Sequence, residues 1–484
     1  NVTVETTSGA GSGDITVSAS IAKTTGGDAT LTLKAARNIT IDSGISITSV
    51  SNSLDTVLWA NSAGTGGGIV LNAGSSIHTN GGDLWMGGGS GTTTWNGLAV
   101  GNGAAKGVGT AISGINLSGA SGDIVDISTD GGSIKMSGVG SDAGGHGVYM
   151  QYAQVATGTS GAIDIRGDGY SAVSGVGSGH GLNVLESSIV AGSGGLSLTG
   201  NANLNHLSSG HAGLNMSNAA LYAKGGGSVG LNVSSTNDYI QLQSFGSDGS
   251  TIGDATNQTG NITITASGTS AGKVTLPNIE TSGGLTVDVA GSSAGTVSQH
   301  YTDFFGSDYS SKIVVGGAST FVGNSAAAYY LNGAENDFSG AVSVHGGATL
   351  ALYDSNSLHL SVIDGLSGTQ DITAADGIAL SYTLDSQAGF TYNGNAVVLS
   401  DLWGVGSIFG VSFASSWVYG TDYVFKDSAG NAVASYTNAG NYSGLTVDIL
   451  KSGYSTAGDG NVAGSLTIDR KSIGVTVSKI YDGT

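Results

Sequence analysis

The stretch GHGLNVLESSIVAGSGGLSLTG, residues 179–200, contains three short segments in which apolar residues alternate with small or polar ones. The segments are GLNV (Gly181–Val184), SSIVAG (Ser187–Gly192) and GLSLTG (Gly195–Gly200), and they are separated mainly by Gly and Ser. A period of two is the pattern of a β-strand with one buried face. The stretch therefore predicts three short strands with sharp turns at the glycines, where a backbone without Cβ is needed.

This pattern recurs along the chain. The phrases GHGVYM, GHGLNV and GHAGLNM begin at residues 145, 179 and 210, which are 34 and 31 residues apart. Alternation predicts that Leu182 and Val184 face inward and that Asn183 faces outward. Stacked units of this kind bury their inward residues in a continuous apolar column. The sequence therefore predicts an all-β fold, a right-handed parallel β-helix (a β-solenoid with three strands per rung), over residues 1–370.

The composition leaves two alternatives for this region. The chain has 86 Gly, one Pro and no Cys, and glycine in this amount is also found in silk-like low-complexity polymers. The inward positions are Leu, Ile, Val or Met, and not Ala or Ser, which favours a packed core. An array of β-sandwiches is the second alternative, and it would use more Pro and longer strands.

The composition and the predicted strand length change towards the C-terminus. Eight of the nine Phe lie beyond residue 300, and strands such as ALSYTLD and GLTVDIL are longer than those of the repeat region. Aromatic side chains bury a large area each, which suits a compact domain with its own core. We expect a boundary near residues 370–375, a small β-sandwich-like domain over 371–470, and the start of a further repeat at 471–484.

Charge and hydropathy exclude several classes of partner. There are 14 Lys and Arg against 34 Asp and Glu, which gives a net charge of −20. This charge repels phosphate backbones, so nucleic-acid binding is not expected. The sequence has no apolar run of 18 residues that would predict a membrane span. No phosphate loop, dinucleotide fingerprint or nucleophile–base pattern predicts a cofactor or catalysis, and we predict no catalytic residue and no resident metal.

Two sections of the chain resemble a known family. The stretch NDFSGAVSVHGGATLALYDSNSLHL (Asn336–Leu360) resembles a repeat of filamentous-haemagglutinin-like large exoproteins, and the GHGLNV units resemble the stem of that family. Residues Asp422–Lys471 resemble the MBG-type domain of those exoproteins, and VSKIYDGT (Val477–Thr484) looks like the opening strand of a YDG-type repeat. The Pro-containing motifs of that family's secretion domain are missing, since the sole proline is Pro277. We therefore expect an interior section of a longer polypeptide.

The resemblance implies an adhesin at the bacterial cell surface or outside the cell, often exported through a two-partner outer-membrane pore. We predict a structural or adhesive segment whose partners are cell-surface glycans or receptors, or other copies of itself. Two alternatives remain open. One is a subunit of a self-assembling extracellular fibre, because solenoid ends invite edge pairing. The other is a β-helix polysaccharide-degrading enzyme, because such enzymes carry paired carboxylates on an outer wall.

Three groups of residues are candidate sites. Asp123, Asp126 and Asp130 in GDIVDISTDGG are the best carboxylate cluster, interpreted as solvated turn residues, with a weak cation site or a catalytic site as the alternatives. Histidines 146, 180 and 211 open successive units and could stack in a column, with a structural role or as metal ligands. Arg166, Gly167 and Asp168 form an RGD tripeptide at what the pattern predicts to be a corner, where it could contact an integrin-type receptor.

Overall fold

The computed structural model describes residues 1–7, 9, 11–109, 113–142, 144–171, 179–204, 211–236, 240–244, 249–268, 272–293, 295–302, 308–476 and 478. The chain divides into two compact units. Unit 1 comprises Asn1–Asn356 and Gly365–Ala374, and unit 2 comprises Ser357–Asp364 and Ala375–Thr484. Of the predicted further repeat at 471–484, residues 477 and 479–484 lie outside the described residues.

Unit 1 contains three long sheets of parallel strands, here named sheets A, B and C. Successive strands along the chain belong to the sheets in turn. The strands of sheet A are β1 (Val2–Glu5), β4 (Ala29–Lys34), β7 (Leu54–Trp59), β10 (Leu84–Trp95), β12 (Ala105–Lys106), β15 (Ile134–Val139), β18 (Ile163–Ser171), β21 (Leu196–Leu204), β24 (Val229–Thr236), β27 (Ile262–Gly268), β30 (Leu285–Ser292), β35 (Ser319–Val322) and β38 (Val342–Gly347).

Sheets B and C are built in the same way. Sheet B contains β2 (Ile15–Val17), β5 (Ile39–Ile41), β8 (Ile69–Asn72), β13 (Ile115–Ser118), β16 (Val148–Gln151), β19 (Leu182–Leu185), β22 (Ala212–Ser217), β25 (Ile240–Ser244), β28 (Lys273–Thr275), β31 (Thr296–Ser298), β36 (Ala328–Leu331), β39 (Thr349–Asp354) and β41 (Gln370–Ala374). Sheet C contains β3 (Ile21–Lys23), β6 (Ser46–Ser49), β9 (Ser76–His78), β14 (Val125–Ser128), β17 (Ala153–Ala156), β20 (Ser188–Ala191), β23 (Ala220–Ala223), β26 (Thr251–Ile252), β29 (Asn278–Thr281), β34 (Ile313–Val315) and β37 (Asp337–Phe338). Two antiparallel additions are β11 (Leu98–Gly103), which pairs with β10, and the pair β32 (His300–Thr302) and β33 (Asp308–Ser310).

The core of unit 1 follows the predicted alternation. Leu182 pairs in register with Val148 and Leu214, and all three are almost fully buried. The glycine corners behave as the sequence predicts, since Gly195 has a φ of +86°, a conformation that only glycine adopts readily. The prediction of an all-β chain with long parallel sheets is confirmed, and the arrangement is consistent with a β-solenoid-like fold.

One outward position departs from the prediction. Asn183 lies between the inward residues Leu182 and Val184, yet it is only 6% exposed. The same holds for Asn215, its register partner in β22, which is 8% exposed. Both amides are covered on the outer face of sheet B, so facing away from the core does not mean facing solvent in this part of the chain.

Unit 2 has a core rich in aromatic residues. One set of parallel strands is β40 (Leu358–Leu366), β42 (Ile378–Leu380) and β48 (Tyr454–Thr456). A mixed sheet has the order β43 (Ser386–Thr391), β49 (Gly464–Asp469), β47 (Gly440–Ile449) and β45 (Tyr423–Lys426), and β44 (Val397–Val398) pairs with β46 (Ser435–Tyr436). Short helices cover Leu399–Leu402, Val405–Phe409 and Ser412–Ser416. The Trp403 and Phe425 rings lie 5.7 Å apart, and those of Phe409 and Trp417 lie 5.4 Å apart.

Candidate ligand-binding cleft

A β-hairpin formed by β10 and β11 projects from sheet A, because β10 continues past the residues that pair with β7 and β15. The first residues of β10 pair in parallel with β7 and β15, and the remainder pairs antiparallel with β11. The turn is Asn96-Gly97, with φ values of 46° and 80°. Two consecutive residues with positive φ are the requirement of a type I′ turn, and Asn-Gly is the dipeptide that meets it best. The sequence TTTWNGLAV therefore folds locally into this hairpin.

The hairpin is held against sheet A by a second apolar cluster, separate from the inward columns. Because Leu84 and Met86 point into the core, Trp85 between them points to the outer face of the sheet. Trp85 packs there in a buried cluster, with Trp95 at its edge; the other buried members are Val57, Trp59, Leu98 and Val100. Aromatic side chains bury about 150–250 Å² each, so three tryptophans provide most of the area that fixes the hairpin.

Trp59 is the best-anchored member of this cluster. Its indole Nε1–H donates to the carbonyl oxygen of Gly89 at 2.7 Å, which joins sheet A to the hairpin backbone. The ammonium of Lys34 lies 4.8 Å from the centre of the Trp59 ring, within the range of a cation–π contact. The indole N–H of Trp59 is therefore hydrogen-bonded, and its ring is packed in the apolar cluster.

A cleft of about 510 Å³ opens beside this cluster, and we call it the hairpin cleft. Its volume lies in the range of about 300–1,000 Å³ that is usual for small-molecule sites. Side chains of three chemical kinds line it: aromatic rings, amides and charged groups. The aromatic, amide and charged groups are those of Trp85, Trp95, Asn102, Lys135, Arg166 and Asp168.

The charged residues of the hairpin cleft form ion pairs with carboxylates on the same sheet. The Arg166 guanidinium donates from Nε to Oδ2 of Asp168 at 3.1 Å and from Nη2 to Oδ1 at 3.2 Å. Asn201 Nδ2 donates to the same Asp168 carboxylate at 2.5 Å, and Lys135 pairs with Asp164. Exposed ion pairs of this kind contribute little to stability. Their main effect is to fix where donors and acceptors lie along the cleft.

The RGD tripeptide is part of this surface and not a corner. Arg166, Gly167 and Asp168 lie inside β18, where β15 pairs with them on one side and β21 on the other. Gly167 is buried, and a Cβ there would lie 2.1 Å from the carbonyl oxygen of Gly181. The expectation of a corner at these residues is wrong, because the strand continues past Ile163 and Ile165. A role in receptor contact stays a prediction, for a flat strand rather than a loop tip.

The three candidate aspartates have separate local partners. Asp123 is exposed, and its backbone bridges that of Ala120. Asp126 lies on β14, where its Oδ2 is 2.9 Å from His78 Nε2. Asp130, with a φ of 50°, accepts a hydrogen bond from the Ser128 hydroxyl at 2.8 Å. Within the part of the chain that the structure describes, no three His, Cys, Asp or Glu side chains form a group able to hold a metal ion.

The three histidines do stack, as the sequence predicts, and we call them the histidine column. The rings of His146 and His180 are parallel at 5.2 Å, and those of His180 and His211 meet edge to face at 6.0 Å. His146 also stacks on Tyr149 at 5.3 Å, and its Nε2 is 3.3 Å from the Asn183 amide nitrogen. The column therefore covers the outer face of sheet B and accounts for the buried asparagines.

Two rings of the histidine column, His146 and His180, are uncharged at pH 7. The backbone N–H of His180 donates to Nδ1 of His146 at 3.2 Å, and that of Ala212 donates to Nδ1 of His180 at 2.9 Å. Both Nδ1 atoms are thus unprotonated acceptors. Burial, together with the neighbouring histidines, lowers the pKa of His146 to about 4 and that of His180 to about 3. These rings join successive strands without carrying charge.

Sequence reasoning missed the tryptophans that build the hairpin cleft. Trp59, Trp85 and Trp95 are three of the five Trp in the chain and fall within one short section. The Asn-Gly dipeptide between TTTW and LAV was a further signal, because alternating residues on both sides of Asn-Gly predict a hairpin. The two signals together would have located this surface.

Comparison with known proteins finds a similarity for one part of the chain. Residues 259–345 match a family model described as repeats of unknown function (DUF5649). No curated protein matches the chain, and no solved structure matches it. The matched residues belong to unit 1 and lie outside the hairpin cleft. No described helix is long and apolar enough to cross a membrane.

Proposed function

We propose that the chain is a structural and adhesive segment of a large secreted bacterial cell-surface protein. The observation that carries the proposal is the succession of parallel strands in unit 1, whose inward residues form continuous buried columns. A protein built in this way is extended by adding strands rather than by enlarging a core. The resemblance of Asn336–Leu360 and of the GHGLNV units to haemagglutinin-like exoproteins supports the same function.

In finer detail, we propose that unit 1 is a right-handed β-helix with one strand of each sheet in every rung. The chain order of the strands supports three strands per rung, because β16, β17 and β18 are followed by β19, β20 and β21 in the same three sheets. Strands in a sheet are about 4.8 Å apart, so each rung lengthens the molecule by that amount. For residues 371–470 we keep the proposal of an MBG-like β domain, followed by a further repeat.

The adhesive mechanism is geometric. A rod stiffened by backbone hydrogen bonds along its length holds binding surfaces away from the cell, and weak contacts repeated along it add up through multivalency. The partners proposed are glycans or receptors on host or neighbouring cells, or further copies of the protein. Export through a two-partner outer-membrane pore belongs to the same proposal, as does an extracellular or cell-surface location.

Two measurements test this function. Beads coated with the full chain should bind bacterial or host cells above beads coated with albumin, and negative-stain electron microscopy should show rods of one length. Absence of binding to every cell type and matrix would contradict an adhesive role and leave a spacer. Filaments of indefinite length would favour the self-assembling fibre. Release of reducing sugar from a polysaccharide panel would favour the enzyme.

A further inference from the structure

We propose that the hairpin cleft is a binding site for an uncharged pyranose chain, that is, a neutral oligo- or polysaccharide. The inference rests on the adhesive function proposed above, since it names a site and a ligand class for that function. Three properties of the cleft lead to it: an aromatic wall, a mixed set of donors and acceptors, and a balanced local charge.

The aromatic wall, formed by Trp85 and Trp95, has one ring that is partly open to the cleft and could pack against a sugar. Trp85 is only 3% exposed and forms the base of the apolar cluster, whereas Trp95 at the tip of β10 is half-buried and keeps part of its ring open to the cleft. The C–H face of a pyranose ring is apolar and flat, so packing it on an indole removes apolar area of both from water. A ligand without such a face would leave this wall wet.

The polar groups of the cleft supply both partners that a sugar hydroxyl needs. Arg166 spends two of the five N–H donors of a guanidinium on Asp168, so further donors remain on the same group. The Asp168 carboxylate accepts, and Asn102, whose Oδ1 already accepts from the Gly91 backbone N–H at 3.0 Å, adds the two donors of its Nδ2. A hydroxyl donates one hydrogen bond and accepts others, and neighbouring hydroxyls of a pyranose are spaced to meet such a fixed pair. The residues Thr93 and Thr94 add exposed hydroxyls on the hairpin side.

Charge decides between neutral and acidic saccharides. Both cations that line the cleft already have their own carboxylates, Asp164 for Lys135 and Asp168 for Arg166. An acidic sugar would have to compete with these carboxylates and would lie next to Asp168. The whole chain carries a net charge of −20, so a polyanion is also repelled during approach. An uncharged chain avoids both effects.

The experiment is a calorimetric titration of the full chain with defined hexasaccharides. The probes are the neutral hexamers of glucose, galactose and mannose in α- and β-linked forms, and hexagalacturonate as the acidic counterpart. We expect at least one neutral hexamer to bind, and hexagalacturonate to bind at least about tenfold more weakly than that hexamer. Trp95→Ala should weaken binding about tenfold or more, and Trp95→Phe should retain it within about threefold.

Two further variants separate binding from folding. Asp168→Asn removes the acceptor charge without changing the shape, and should weaken neutral binding several-fold. Tyr330→Ala removes a 40% exposed aromatic ring on β36 of sheet B, and should leave binding unchanged. Each variant's thermal unfolding midpoint shows whether it is folded, and Trp95→Phe guards against a purely structural effect of Trp95→Ala.

The outcomes that would overturn the inference are distinct from those that would overturn the adhesive function. If no neutral hexamer binds, if hexagalacturonate binds most tightly, or if Trp95→Ala binds as the wild type does, the proposed site is wrong. Cell adhesion that survives Trp95→Ala would leave the adhesive function intact and point to another surface. Adhesion that survives periodate oxidation of cell-surface glycans would point to a protein receptor.

Discussion

Two places on unit 1 cover the outer face of a sheet, and they do so with opposite results. The histidine column lies on sheet B and buries Asn183 and Asn215, with ring nitrogens and amides joined directly by hydrogen bonds. The hairpin lies on sheet A and buries Trp59 and Trp85, but it leaves the neighbouring charged residues open in a cleft. The column closes its surface because neighbouring rings and amides pair with one another, although the buried Oδ1 of Asn215 has no hydrogen-bond partner among the described residues. The hairpin closes only the apolar part, so the polar part stays available to a ligand.

The largest expected effect tests what holds the hairpin. Trp85→Ala should cost about 3–5 kcal/mol of local stability, because it leaves a large cavity at the base of the apolar cluster. Hydrogen exchange followed by mass spectrometry should show faster exchange of the amides of residues 84–103. Trp85→Phe keeps an apolar ring and should change exchange much less. Equal effects of the two variants would contradict a packing role for this side chain.

The next expected effect is a loss of folding stability in acid, caused by the histidine column. Because the folded-state pKa values of His146 and His180 lie below the ordinary 6.5, the unfolded chain takes up protons that the folded chain excludes. Stability is therefore full above pH 6.5 and falls as the pH drops towards 4 and then 3. Each unit of pKa shift corresponds to about 1.4 kcal/mol, so the loss should reach about 3–5 kcal/mol for each of the two histidines.

Denaturant titrations at pH 7.5, 5.5 and 4.0 measure this loss. His180→Gln removes one titrating ring and should reduce the pH dependence. His300→Gln is the matched control, because His300 is exposed and its Nε2 meets Asn332 Oδ1 at 2.9 Å outside the column. A slope that is the same in both variants would show that the column does not cause the acid sensitivity.

A smaller effect concerns the turn of the hairpin. Gly97 has a φ of +80° and no atom near the position of a Cβ, so Gly97→Ala would add conformational strain without a clash. We expect a loss of about 1–2 kcal/mol and faster exchange at the hairpin tip. Gly27→Ala is the control, because that site is equally open and has no positive φ. Equal changes at the two glycines would argue against the type I′ turn as the cause.

The smallest effect on stability should come from the ion pair in the hairpin cleft. Arg166 is 56% exposed in its side chain, so the screened pair with Asp168 should contribute less than about 1 kcal/mol. Thermal unfolding of Arg166→Ala should stay close to that of the wild type. A loss of several kcal/mol would mean that the pair supports the fold, as the contacts of the histidine column do.

The sequence predicts the interior well because one rule decides it. Leu182 and Val184 must be apolar to stack on their register partners, and the period of two shows this in the letters alone. The same rule fails for Asn183, because its burial depends on His146, which lies 37 residues earlier. The sequence also does not show that Arg166 and Asp168 lie in a strand, because no local signal distinguishes a strand that continues from one that ends. The side chains that cover the outer face of a sheet come from distant parts of the chain. The period of two along one strand carries no information about such long-range contacts.

The pairing of β10 has a consequence for how such a chain can change over evolutionary time. Leu84 is in register with Thr56 on one side and with Ile134 on the other, although 28 residues separate the first pair and 50 the second. The hairpin therefore adds length to the chain without shifting any strand below or above it. An insertion at the end of a strand is an independent unit of variation, which can be gained, lost or exchanged while the scaffold remains the same. New binding specificities can arise in this way by the insertion of one hairpin at a time.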